Sequence, residues 1–315
     1  MSGNQSNTSE YHCHNIILGS NNLILTIAPA YVASVLGFIL NVFVLMVFCL
    51  HKKACTVTEI YLSNLTGTHL LLVCGLPFYT DTERAHYDWP FGESLCKLVP
   101  VVMRMNEFCN IYFLVLASLD CYVALVHPLF HELMSRPFNA KLGCLFVWSL
   151  GLVFAFPNFI YNKLIFNSQS NLTHCFPALT SLDQYVLVII FNFIIPVIII
   201  LFCAVRITQT LRKRRMEGLN PQRTEQKTTT LILAVLLAFL ICWVPAHVTR
   251  LLQVLRYTHI LKCHIILVII EELSVSLMFF SCVLNPILYV IIGKSFRNRT
   301  KEFFNAMCDR REKSL

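Results

Sequence analysis

Charge is what this chain has least of. Asp, Glu, Lys and Arg make up 13% of its 315 residues, against 56% hydrophobic, too little polar surface for a soluble fold to cover its core. The signatures of catalysis are missing as well. There is no glycine-rich phosphate loop, no paired Cys-x-x-Cys zinc pattern and no nucleophile elbow, and the histidines are scattered along the chain. We therefore expect no enzyme activity, no cofactor and no metal. Internal repeats and paired broken helices, the marks of a transporter, are not evident either. Residues 1–21 are polar and lack a basic start followed by a short apolar core, so the first span is expected to act as its own signal anchor.

What the chain does have is seven apolar runs, at roughly 22–50, 59–79, 95–126, 140–161, 182–206, 227–254 and 264–292, where about 20 residues suffice to cross hydrocarbon. Continuous runs rather than strict alternation select helices over a closed barrel. The expected fold is an all-α membrane protein: a seven-transmembrane helix bundle at 22–292, an outer tail at 1–21, and a cytoplasmic amphipathic eighth helix and tail at 293–315. Most Lys and Arg fall in segments that are cytoplasmic if the N-terminus is outside, which fixes that orientation. The net charge of +8 is largely this bias and does not indicate nucleic acid. Arg212-Lys213-Arg214-Arg215 and Arg310-Arg311 would face anionic lipid or a cytosolic partner.

Orientation sorts the remaining signals. Of 14 cysteines, only Cys13, Cys96, Cys175 and Cys263 fall outside or at an outer helix end, so two disulfides are available and three pairings are open. Proximity favours Cys96 with Cys175, leaving Cys13 with Cys263. Cys49, Cys74, Cys109, Cys144, Cys203, Cys242 and Cys282 read as membrane-buried thiols that behave as small apolar residues. The sequons at Asn4, Asn7 and Asn171 lie outside, where glycosylation occurs. Residues 295–304 form an amphipathic stretch with Phe296, Phe303 and Phe304 inward, and Cys308 beyond it is a candidate for palmitoylation.

Several motifs in order then point to a family. Gly37 and Asn41 in the first span, Cys96 topping the third, Asp120-Cys121-Tyr122 at its base, Trp148, Pro196, Cys242-Trp243-Val244-Pro245 and Asn285-Pro286-Ile287-Leu288-Tyr289 resemble the rhodopsin-like G-protein-coupled receptors. Within that class the chain is most similar to the kinin (bradykinin) receptors, through Val47–Lys52, Cys55–Leu62, Cys74–Phe78, Asp88–Gly92 and Tyr289–Arg297. Cys13 and Cys263 also sit where those receptors carry a second disulfide. Angiotensin and chemokine receptors share the layout.

The resemblance implies a plasma-membrane receptor for a kinin-like peptide (bradykinin or des-Arg-bradykinin) that signals through a heterotrimeric G protein of Gq type. An acidic outer rim of Asp81, Glu83, Asp88, Glu93, Asp183, Glu271 and Glu272 would steer a cationic peptide inward. Arg104 stands where type 1 kinin receptors carry a lysine, which suits a free peptide carboxylate; alternatively it pairs with Glu107 one turn on. Gln253 and Val268 replace acids usual in the family, and Glu271 or Glu272 would substitute. Trp243 matches the pocket-floor switch. Asp120, Cys121, Tyr122, Asn285, Pro286 and Tyr289 occupy the activation and G-protein-coupling positions. Cys121 replaces the usual arginine, and His69 replaces the sodium-binding aspartate beside Asn110, Ser281 and Cys282. These departures predict weak coupling, and a peptide-binding decoy is the second expectation.

Overall fold

The computed structural model describes residues 27–49, 55–85, 87–134, 136–168, 171–177, 182–217, 223–257 and 265–312. In hydrocarbon an unpaired backbone N–H or C=O costs several kcal/mol, so each apolar run closes its own hydrogen bonds as a helix. The spans are α1 (Ala28–Cys49), α2 (Val57–Arg84), α3 (Gly92–Val126), α5 (Pro137–Tyr161), a fifth built of α6 (Leu182–Ile189) and α7 (Ile195–Met216), α8 (Arg223–Tyr257) and α9 (Ile265–Ile291). A short α4 (Pro128–Met134) follows the third span, and α10 (Lys294–Glu312) follows the seventh. At 35 residues, α3 and α8 are each about 50 Å long at 1.5 Å per residue and run past the hydrocarbon.

Among the described residues, six helical stretches are long and apolar enough to cross a membrane; α2 falls short because its middle carries Ser63, Asn64, Thr66, Thr68 and His69. Ser63, Asn64, Thr66 and Thr68 bond to the carbonyls of Ile60, Ile60, Leu62 and Leu65 one turn back. This satisfies them inside the bundle, where α2 packs against α1 and α3. Trp148 of α5 donates its indole N–H to Asn64 at 2.9 Å. Asn41 of α1 donates to the carbonyls of Gly37 and Cys282, tying the first span to the seventh. Gly37 permits that approach, for a Cβ there would sit 2.7 Å from Val73 and 2.8 Å from the Cys282 sulfur.

Proline shapes the fifth span. Pro196 offers no N–H to the turn before it, and Ile190–Ile194 widens there into a π-helical turn. Tyr112 of α3 donates its hydroxyl to the Phe191 carbonyl at 2.9 Å. At the other face, Phe296 of α10 is buried against Phe43, Phe48 and Tyr289. Phe303 is half-buried and Phe304 half-exposed beside Phe43, so of the inward stripe expected for the eighth helix only Phe296 reaches the core. Cys49 and Cys74 lie on the outer surface of the bundle, while Cys109, Cys144, Cys203, Cys242 and Cys282 are buried.

An all-α expectation omits one element. Between the fourth and fifth spans, β1 (Asn162–Asn167) and β2 (Leu172–Pro177) form an antiparallel hairpin in the register Leu164–Cys175 and Phe166–Thr173. Cys175 is bonded to Cys96 at the top of α3, the pairing that proximity favours. Asn171 at the hairpin tip adopts φ 56°, a left-handed turn conformation that asparagine tolerates. Cys13 and Cys263, and the sequons at Asn4 and Asn7, lie outside the described residues.

Candidate ligand-binding site

Three turns of α3 below the disulfide set the chemistry of the outer bundle. Arg104 donates to Glu107 at 2.9 Å, and Arg250 of α8 donates to the other oxygen of the same carboxylate. Glu107 is buried at 5% exposure, while the arginine side chains are 35% and 23% exposed. The pairing of Arg104 with Glu107 therefore exists, but Arg250 shares it, and two guanidiniums against one carboxylate leave a net positive charge. His247, one turn below Arg250, is 2% exposed with both ring nitrogens lacking a hydrogen-bond partner among the described residues. Its ring stacks on Phe193 at 4.6 Å and above Trp243 at 6.1 Å.

Arg250 and His247 did not stand out in the sequence, although Trp243, His247 and Arg250 recur at i, i+4 and i+7 and so share a helix face. An ionisable side chain inside a span was the signal, since such groups face a polar interior. Trp243 is 1% exposed and stacked between His247 and Phe239. The side chain of Gln253 lies outside the described residues.

Below Trp243, His69 of α2 is fully buried and its Nε2 meets the amides of Asn110 at 3.3 Å and Asn285 at 3.5 Å. Among the described residues, the other ring nitrogen, Asn110 Oδ1 and Ser281 Oγ are buried without protein partners, and no carboxylate bonds to this polar group. Cys282 turns away and donates to the Phe279 carbonyl at 2.9 Å. Among the described residues no cluster of His, Cys, Asp or Glu could hold a metal ion.

At the inner end, Cys121 lies 3.6 Å from the Thr229 hydroxyl of α8, a weak neutral contact between the third and sixth spans. Asp120 approaches His131 of α4 at 3.9 Å, and Tyr122 shares a hydrogen bond with His127 at 3.2 Å. Tyr289 is fully buried, and Pro286 lies within the continuous helix α9. Arg214 of α7 donates to the Leu125 carbonyl at 2.8 Å and closes the end of α3.

The outer rim is largely self-engaged. Asp81 takes the Tyr31 hydroxyl, Asp88 accepts the Thr173 N–H at 2.9 Å, and Glu93 pairs with Lys97 at 2.6 Å. Burial and the carboxylate of Glu83 push the Tyr87 phenol up, keeping it a donor. Glu271 and Glu272 are half-buried on α9, within electrostatic reach of Tyr87. The Asp183 side chain lies outside the described residues.

Seven spans, a disulfide-anchored hairpin over the outer end and a charged cluster beneath it define a multi-pass membrane receptor rather than an enzyme. The model of the 7 transmembrane receptor (rhodopsin family) matches residues 40–289. The B2 bradykinin receptor of Oryctolagus cuniculus is 39% identical over 88% of this chain and 78% of its own length, and that of Homo sapiens 37% over 90% and 76%. The B1 bradykinin receptor of Macaca mulatta is 31% identical over 90% and 84%. The chain belongs to the rhodopsin family of seven-transmembrane receptors and, within it, to the bradykinin receptors. Identity is thus higher to these type 2 relatives, whereas the type 1 resemblance rests on the single position of Arg104.

Proposed function

We propose that the chain is a plasma-membrane receptor, N-terminus outside, for a kinin-like peptide with a free C-terminal carboxylate, and that it signals through a Gq-type heterotrimeric G protein. The observation that carries this reading is Arg104. Its guanidinium is partly exposed in the outer half of α3 and anchored from below by the buried carboxylate of Glu107. A cation in a low-dielectric cavity discriminates a terminal carboxylate from an amide far better than an exposed one does. Glu271 and Glu272 would meet cationic groups of the peptide, and Trp243 would pass the binding event to α8. A second disulfide, Cys13–Cys263, would pin the outer tail to the loop before α9, glycans would stand on Asn4, Asn7 and Asn171, and a palmitoyl chain on Cys308 would hold α10 at the lipid surface.

One observation favours a second reading, a peptide-binding decoy. Among the described residues, Cys121 makes a neutral contact to α8 where an arginine ordinarily serves. Labelled bradykinin and des-Arg-bradykinin on cells expressing the chain, with calcium read in parallel, test both. Saturable binding with calcium release supports the receptor, binding without calcium selects the decoy, and no binding of either peptide rejects the kinin assignment.

A further inference from the structure

We propose that Arg250 and His247 of the sixth span complete, with Arg104, a dedicated seat for one ligand carboxylate, with Glu107 as the residue that positions both guanidiniums. The proposal rests on the peptide-receptor reading above and extends it to the opposite wall of the site. Three observations carry it.

The first is charge. Arg104 and Arg250 both bond Glu107, so the cluster retains one positive charge that its own residues do not neutralise. Partly sheltered by the surrounding helices, that charge attracts an anion more strongly than one on an open surface does. A single incoming carboxylate balances it, two guanidiniums against two carboxylates, whereas an amide leaves it unmet.

The second is access. The carboxylate of Glu107 is buried and the arginines are partly open, so an arriving anion meets guanidinium N–H donors before it meets Glu107. Each arginine has donors to spare after one bond to Glu107, since a guanidinium offers five. A ligand carboxylate can therefore bridge α3 and α8 without displacing Glu107.

The third is His247. Both its nitrogens are buried without a protein partner among the described residues, it lies within electrostatic reach of Glu107, and its ring is held flat against Phe193. Leaving such a group unsatisfied is unfavourable, and a turn of the ring toward the arginines as the carboxylate docks would let a ligand oxygen satisfy one nitrogen. Because His247 also stacks on Trp243, the carboxylate would press on the aromatic column that runs down α8. The seat would then sense ligand chemistry and couple it to the sixth helix.

Binding of a free-acid kinin and its C-terminal amide to Arg250→Gln, Arg250→Lys and His247→Phe, at matched surface expression, tests the seat. Arg250→Gln should weaken the acid at least tenfold and the amide less than threefold, Arg250→Lys should recover part of the loss, and His247→Phe should weaken the acid several-fold. Equal losses for acid and amide, or equal affinity of both for the unaltered receptor, overturn it. A second measurement needs no peptide. Acetate should raise the thermal unfolding midpoint of the purified receptor above that in chloride at the same ionic strength, and Arg250→Gln should abolish the difference. If neither peptide binds but the acetate effect depends on Arg250, the kinin reading falls and the carboxylate seat stands; no acetate effect together with an unchanged acid affinity in Arg250→Gln rejects the seat.

Discussion

Single residues decide what this bundle recognises. Arg104→Ala should cost a free-acid peptide roughly 2–5 kcal/mol of binding, the scale for truncating one partner of a buried hydrogen-bonded charge pair, and its amide far less. Competition binding with the matched pair measures this, and equal losses would reduce Arg104 to a structural partner of Glu107. Gly37→Ala should destabilise the receptor by about 1–3 kcal/mol, because the new methyl would meet Val73 and the Cys282 sulfur inside contact distance. A lower unfolding midpoint and reduced surface expression would report it. Arg104 was legible in the sequence because a charge two turns below Cys96 interrupts an apolar run. Arg250 was not, since a basic residue near the end of a long helix reads equally well as a snorkelling anchor.

At the scale of elements, one carboxylate joins two helices. Glu59 closes a capping box with Thr56 at the start of α2 and also takes Arg299 of α10 at 2.6 Å and the Ser295 hydroxyl at 2.7 Å. Glu59 and Arg299 are both buried. Glu59→Gln should therefore cost roughly 3–5 kcal/mol by removing the carboxylate from a buried charge pair, and adding Arg299→Leu should restore most of the loss. Thermal unfolding of the two variants checks this; a silent Glu59→Gln would show that the Glu59–Arg299 pair does not hold α10 against α2. Thr-x-x-Glu before an apolar run is the local pattern of a capping box. The link of Glu59 to α10 has no such local pattern, because residues so far apart meet only through the packing of Phe296 against the first span. The hairpin was hidden for a different reason: β1 begins directly at the end of α5, and its six residues alternate too briefly to outweigh the helical pattern around them.

For the molecule as a whole, the question is how firmly the outer site and the inner face are coupled. His69 among Asn110, Asn285 and Ser281 supplies no carboxylate for a hard cation, and Cys121 supplies no guanidinium. We predict weak agonist-driven coupling and little effect of sodium on peptide affinity. Cys121→Arg, alone or with His69→Asp, should raise peptide-stimulated signalling at equal surface expression. A full, sodium-sensitive response from the unaltered chain would show that Asp120, Tyr122 and Tyr289 suffice. The seven-helix plan was legible throughout, because apolar length and ordered motifs are carried by contiguous residues. Coupling was legible only as two departures, because it depends on what faces Cys121 across the bundle.

The hairpin carries one more consequence. Thr173 of β2 gives its N–H to Asp88 and accepts the Trp89 N–H at 2.7 Å, while His174 bonds the Tyr87 carbonyl. The outward backbone groups at this point of the strand are already spoken for, so an extended peptide cannot add itself there as a further strand. A ligand passing Thr173 would therefore be read there by side chains rather than by main-chain pairing, so the hairpin would select for sequence at that point ahead of the arginines below.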